Sequence, residues 1–121
     1  MSVKNVGAEL SRSMFGNGIT LLTCAGDLGT IDPFSGCTQI VTTGTDVIDL
    51  QNATPGTMLY IYVMTDGGTG QVEPVTSTGW DNLVIVDDGD GAWLLYVDDT
   101  IGWVILSVFG AAAPPLFTAA D

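Results

Sequence analysis

Histidine is missing from this 121-residue chain, and only two side chains, Lys4 and Arg12, carry positive charge. Both lie in the first twelve residues, so from Ser13 to Asp121 nothing can neutralise a phosphate backbone or clamp a nucleotide. Nucleic acid is therefore not expected as a partner. Without histidine, triads and imidazole-held zinc sites fall away, and lysine chemistry would have to recruit Lys4 from the chain terminus. No apolar run, Trp103 to Leu106 among them, approaches the roughly 18 residues of a membrane-spanning helix. Asn5, Glu9, Ser11, Arg12 and Ser13 interrupt any signal-peptide core, so the sequence reads as made in the cytoplasm. Cysteine is scarce too. Cys24 and Cys37 fit no CxxC redox or zinc spacing, which leaves open a disulfide or two small buried hydrophobes.

What the chain does have is acid and grease. Fourteen carboxylates give a formal net charge of -12, yet charged residues make up only 13% of the chain against 46% hydrophobic, with a mean hydropathy of +0.41. That is about half the usual charge for a globular domain. The length suits one domain and is short for two separate cores.

Residues 1–18 mix small polar residues with glycine and read as an arm, either unstructured or with a short docked helix over Ala8 to Phe15. From Ile19 to Phe109 the pattern is that of short strands rich in Val, Ile, Thr, Tyr and Trp, divided by Gly, Asp, Asn and Pro clusters. Strands are expected at 19–24, 38–42, 46–50, 58–65, 71–74, 83–87, 92–97 and 102–109. The fold class is all-β, a compact antiparallel sandwich, jelly-roll-like or barrel domain over 19–109. Residues 110–121 read as an extended tail, since Pro114-Pro115 favours polyproline geometry and Leu116 and Phe117 provide apolar anchors.

Side chains alternate along a strand, so Leu59, Ile61 and Val63 oppose Tyr60, Tyr62 and Met64, while Ala92, Leu94 and Tyr96 oppose Trp93, Leu95 and Val97. The same alternation sets Trp103, Ile105 and Phe109 against Val104, Leu106 and Val108. These strands are apolar on both faces, and a second subunit is the natural cover for the outer one; the competing reading is a sandwich whose outer face is apolar with no partner. Trp103, Ile105, Phe109, Leu116 and Phe117 are the expected subunit-interface residues, with the opposite face of the last strand, Val104, Leu106 and Val108, as the other candidate, since periodicity alone does not say which face is intramolecular.

Little points to chemistry. Asp87-Asp88-Gly89-Asp90 offers hard oxygen ligands but departs from a calcium loop, because Gly91 leads straight into Ala92-Trp93-Leu94 and no closing glutamate follows. Val97-Asp98-Asp99-Thr100-Ile101-Gly102 is not the Asp-Thr-Gly of aspartic proteases. A glycosidase would need a carboxylate pair in an aromatic-lined cleft, and the tryptophans are as well explained by packing. The expectation is no enzyme, no cofactor and no metal.

One resemblance sharpens this. In Thr57 to Ser107, a hydrophobic strand leads through Gly67-Gly68 to Gln71-Val72-Glu73-Pro74. Leu83-Val84-Ile85-Val86-Asp87-Asp88-Gly89-Asp90 follows, then a hairpin from Leu95-Tyr96 to Gly102-Trp103-Val104-Ile105-Leu106. This stretch resembles a β module of bacteriophage virion proteins, of the head decoration (cement) type. Gly91-Ala92-Trp93 departs from the pattern, where a Ser or Thr would lead the strand. The resemblance implies a homotrimer on the capsid exterior that binds the major capsid protein lattice and stabilises it, without catalysis or a membrane. The arm, through Lys4, Leu10, Arg12 and Phe15, would dock on that lattice. The alternative is a tail-fibre or adhesin-type domain that binds a receptor or carbohydrate, with Trp80 or Tyr60 stacking on sugar rings.

Overall fold

The computed structural model describes residues 19–110 and the backbone of 116–118. No helix occurs among the described residues, and the 8–15 segment lies outside them. The described residues form ten strands: β1 (Thr20–Thr23), β2 (Leu28–Ile31), β3 (Cys37–Val41), β4 (Thr45–Leu50), β5 (Met58–Thr65), β6 (Thr69–Pro74), β7 (Asn82–Ile85), β8 (Gly91–Tyr96), β9 (Trp103–Phe109) and β10 (Leu116–Thr118). They make two five-stranded sheets, sheet A in the order β1-β3-β5-β8-β9 and sheet B in the order β10-β7-β6-β4-β2.

The expectation of an antiparallel domain is corrected by the ladders. From β1 to β6 the chain visits the two sheets alternately, so that each strand lies parallel to the one two places on. Thr20 pairs with Thr38 and Thr38 with Ile61 in sheet A, while Leu28 pairs with Val47 and Val47 with Gln71 in sheet B. These are three coils of a flattened solenoid, in which each crossover runs through the opposite sheet instead of a helix. From β6 onward the pairing turns antiparallel, through β6–β7, β5–β8, β8–β9 and β7–β10. The stretch read as a tail thus contributes a strand, with Leu116 in register with Val84 and Phe117 with Leu83.

One core lies between the sheets. Sheet A supplies Ile40, Leu59, Ile61, Val63, Leu94 and Tyr96, and sheet B supplies Ile31, Ile48, Leu50, Val72, Leu83 and Ile85. Alternation dictates this set, because Ile48, Val72 and Leu83 stand in one cross-strand row and Leu59 and Leu94 in another. Full burial of each such side chain stabilises the fold by about 1.5–3 kcal/mol before entropy is counted.

The strand β9 breaks the simple alternation. Leu94 pairs with Ile105 but Trp93 pairs with Ser107, so Leu106 is an extra residue, a β-bulge. Before the bulge Trp103 and Ile105 face the core; after it Val108 does, opposite Ala92, and Phe109 turns outward. Trp103, Ile105 and Phe109 therefore do not share a face.

Candidate functional site

The outward face of sheet A is the candidate site. Its positions follow from the register: Leu21 and Thr23 on β1, Gln39 and Val41 on β3, Met58, Tyr60 and Tyr62 on β5, Trp93 and Leu95 on β8. Val104, Ser107 and Phe109 extend it on β9. None is charged, although the chain carries fourteen carboxylates. Sheet B differs, because its outward positions include Asp49 and Glu73, neighbours across β4 and β6.

At the centre four rings interlock. Tyr60 lies 5.0 Å from Trp93, 5.2 Å from Phe109 and 5.4 Å from Tyr62, at interplanar angles of 58°, 67° and 73°. Edge-to-face geometry of this kind lets the positive rim of one ring meet the negative face of the next, for about 0.5–1.5 kcal/mol per pair beyond burial. Gly91 makes it possible, since it sits between Tyr62 and Phe109 in the ladder and a Cβ there would come within 2.8 Å of the Phe109 ring. Gln39 Nε2 donates to the Tyr62 hydroxyl. Cys37, in register with Tyr60, is buried, and burial pushes its thiol pKa up. The Tyr60 phenol is raised as well, first by burial and then by Cys37 and Tyr62 beside it. All four rings are half-buried, which leaves a ridged apolar surface rather than a flat one.

The expected site residues fall in three places. Lys4, Leu10, Arg12 and Phe15 lie outside the described residues, and so do the side chains of Leu116 and Phe117. Phe109 belongs to the ring cluster, and Ile105 is partly buried against the core. Trp103 is a correction: at 0% exposure it is sealed inside its own domain. Its Nε1–H donates to Gln51 O at 2.9 Å and its ring meets Tyr96 edge-on at 5.3 Å, so it is closed to a subunit contact. Trp80, 1% exposed with its Nε1–H on Trp103 O at 3.0 Å, is likewise closed to a sugar ring. The residues that sequence reasoning missed are Tyr62, Trp93 and Gln39. Their signal was present in the outward phases of β5 and β8, and the bulge hid which residue of β9 joins them.

Backbone donors tie down the acidic turn through one oxygen each of Asp88 and Asp90, while Asp90 Oδ1 is buried without a partner. Asp90 Oδ2 accepts the backbone N–H groups of Val86 and Asp87, each at 3.0 Å, and Asp88 Oδ1 accepts that of Asp66 at 2.7 Å. Among the described residues no three carboxylates or thiols are placed to hold a metal. Cys24 and Cys37 are both free and buried. The Cys24 thiol is pushed up to about 11 by burial and by the Asp46 carboxylate beside it.

No protein-family model matches the chain, and no curated protein matches its sequence.

Proposed function

We propose that this protein is a structural β-sandwich that assembles with copies of itself through the outward face of sheet A, as a trimeric decoration protein on the exterior of a bacteriophage capsid. The observation that carries the assembly is the charge-free face with its interlocked Tyr60, Tyr62, Trp93 and Phe109 rings. In so acidic a chain, a whole sheet face without a carboxylate is where copies meet without bringing like charges together. Asp49 and Glu73 on the other sheet keep the outer surface anionic and assembled particles mutually repulsive. The capsid lattice as the partner rests on the resemblance of 57–107 to virion modules. The sugar-binding alternative is less well supported, because tilted, mutually packed rings offer no flat platform and Trp80 is internal.

The experiment is the solution mass by light scattering over a range of concentrations. A stable mass of three times 12.6 kDa is expected for the full chain. Leu95→Lys or Met58→Lys on sheet A should shift it to the protomer, and Asp49→Lys on sheet B should leave it unchanged. A monomer at every concentration, or equal sensitivity of the two faces, overturns the assembly. Addition of the trimer to empty capsids, followed by co-sedimentation, tests the partner.

A further inference from the structure

Beyond Trp103, no backbone hydrogen bond among the described residues reaches the outer edge of β9. One rung of a sixth strand is already laid against that edge. Trp103 N–H donates to Thr76 O at 2.9 Å, Thr78 N–H donates to Trp103 O at 3.2 Å, and Ser77 bridges Trp103 in parallel. The chain then turns away at Gly79 and buries Trp80. Where that strand would have continued, beside Val104 to Val108, there is a slot of about 360 Å³ walled by Thr78, Gly79 and Trp80.

The wall is braced in advance. Ser77 Oγ–H donates to Trp80 O at 2.5 Å, Thr78 Oγ–H to Ile101 O at 2.8 Å, and Trp80 Nε1–H to Trp103 O. A preformed slot beside an unpaired strand edge, with apolar Val104 and Ile105 and exposed Leu106 along it, has the form that accepts an extended peptide as an added strand.

We propose that this slot receives part of residues 1–18 of a second copy, which joins protomers head to tail; the proposal rests on the assembly reading above. Two observations select this occupant. Every base of the chain, Lys4 and Arg12, lies in 1–18, whereas 19–121 holds thirteen of the fourteen carboxylates and no base, so the segment is attracted to the body of any copy. The segment also enters the domain at β1, the edge of sheet A opposite β9, about 19 Å away at the usual strand spacing. A neighbour whose β9 edge lies beside β1 is met directly, and Ile19 and Leu21, 49% and 55% exposed, stand at that edge. Eighteen extended residues span up to about 60 Å, ample for the reach. Such a contact is heterologous, and the trimer proposed above requires that the rotation between neighbours be a third of a turn, so that three copies close a ring.

The test is disulfide trapping in full-length protein. Ser107→Cys is oxidised in a mixture with Val3→Cys, Val6→Cys or Leu10→Cys. The native thiols are buried and do not compete. A disulfide-linked heterodimer with at least one arm position is expected, and Lys4→Glu with Arg12→Glu should lower its yield about tenfold at low salt. A doubly substituted chain that closes only on itself when dilute shows the arm in its own slot and overturns exchange between copies. No heterodimer at any position, with the light-scattering mass still a trimer, overturns the slot and leaves the assembly standing. A monomer without heterodimer overturns both.

Discussion

Gly102 links the β8–β9 turn to the slot wall, and Gly102→Ala tests whether that junction is as tight as its geometry says. Gly102 has φ +70°, and a Cβ built there would lie 2.1 Å from Thr76 O and 2.3 Å from Thr76 C. Alanine in the left-handed region costs about 1–2 kcal/mol. The overlap is with backbone, so Thr76 must retreat by more than 1 Å relative to ordinary contact, which is about 3.4 Å or more. That retreat breaks Trp103 N–H to Thr76 O and loosens Thr78 N–H to Trp103 O, each contributing about 1 kcal/mol net. The sum is about 3–4 kcal/mol. Gly56→Ala is the matched control, because Gly56 has φ +89° with nothing within 4 Å of the added Cβ, and should cost only the conformational part, about 1–2 kcal/mol. Urea unfolding followed by tryptophan fluorescence at a fixed protomer concentration reads both, as a shift in midpoint at unchanged slope. If the two variants lose the same stability, the close approach at Thr76 is not as described and the reasoning fails.

Alkaline pH should destabilise the protein in a defined window. The Tyr96 phenol, which donates to Asp99 Oδ1 at 2.5 Å, is raised from 10.0 to about 12 by that hydrogen bond first, then by burial and the Asp99 and Asp98 charges; Cys24 is raised from 9.0 to about 11. Folded-state values above unfolded ones mean stability is whole below pH 9 and falls as pH climbs through 11 and 12, and Tyr96→Phe should flatten the upper part of that fall in a pH series of thermal melts. Leu94→Ala, at a fully buried position in the centre of sheet A, should cost about 2–5 kcal/mol in the same urea assay. Asp46 is buried with Oδ2 accepting Thr43 N–H at 2.9 Å, so Asp46→Ala, which leaves that N–H without its acceptor and opens a small void, should lower the melting temperature. An unchanged melting temperature would show that the contact contributes nothing.

Strands with steady alternation were legible from sequence: β5 was read at its observed bounds, and the inward sets Leu59-Ile61-Val63 and Ala92-Leu94-Tyr96 are those in the core. Leu28-Gly29-Thr30-Ile31 was missed because four residues with a central glycine carry no period, and Leu116–Thr118 because Pro114-Pro115 outweighed so short a run. Parallel pairing was illegible, since a period of two is the same whichever way a neighbour runs. The ring cluster was half legible. The outward phases of Tyr60, Tyr62 and Trp93 follow from alternation, but Phe109 joins them only through the bulge at Leu106, and no local feature of Val104-Ile105-Leu106-Ser107 announces an extra residue.

The change from parallel coils to antiparallel strands also sets an order for folding. The strands β8 and β9 are joined by a short turn closed by Val97 N–H to Gly102 O and capped by Asp98 Oδ1, so they can pair within microseconds of being brought together. The coils of β1 to β6 must instead close a loop through the opposite sheet before any ladder bond forms, and that entropy is lost before contacts reward it. The hairpin end is therefore expected to pair first, with β5 and β6, which border both regimes, as the strands on which the earlier coils then pair. Substitutions at Leu94 should slow refolding, whereas those at Ile31 should chiefly speed unfolding.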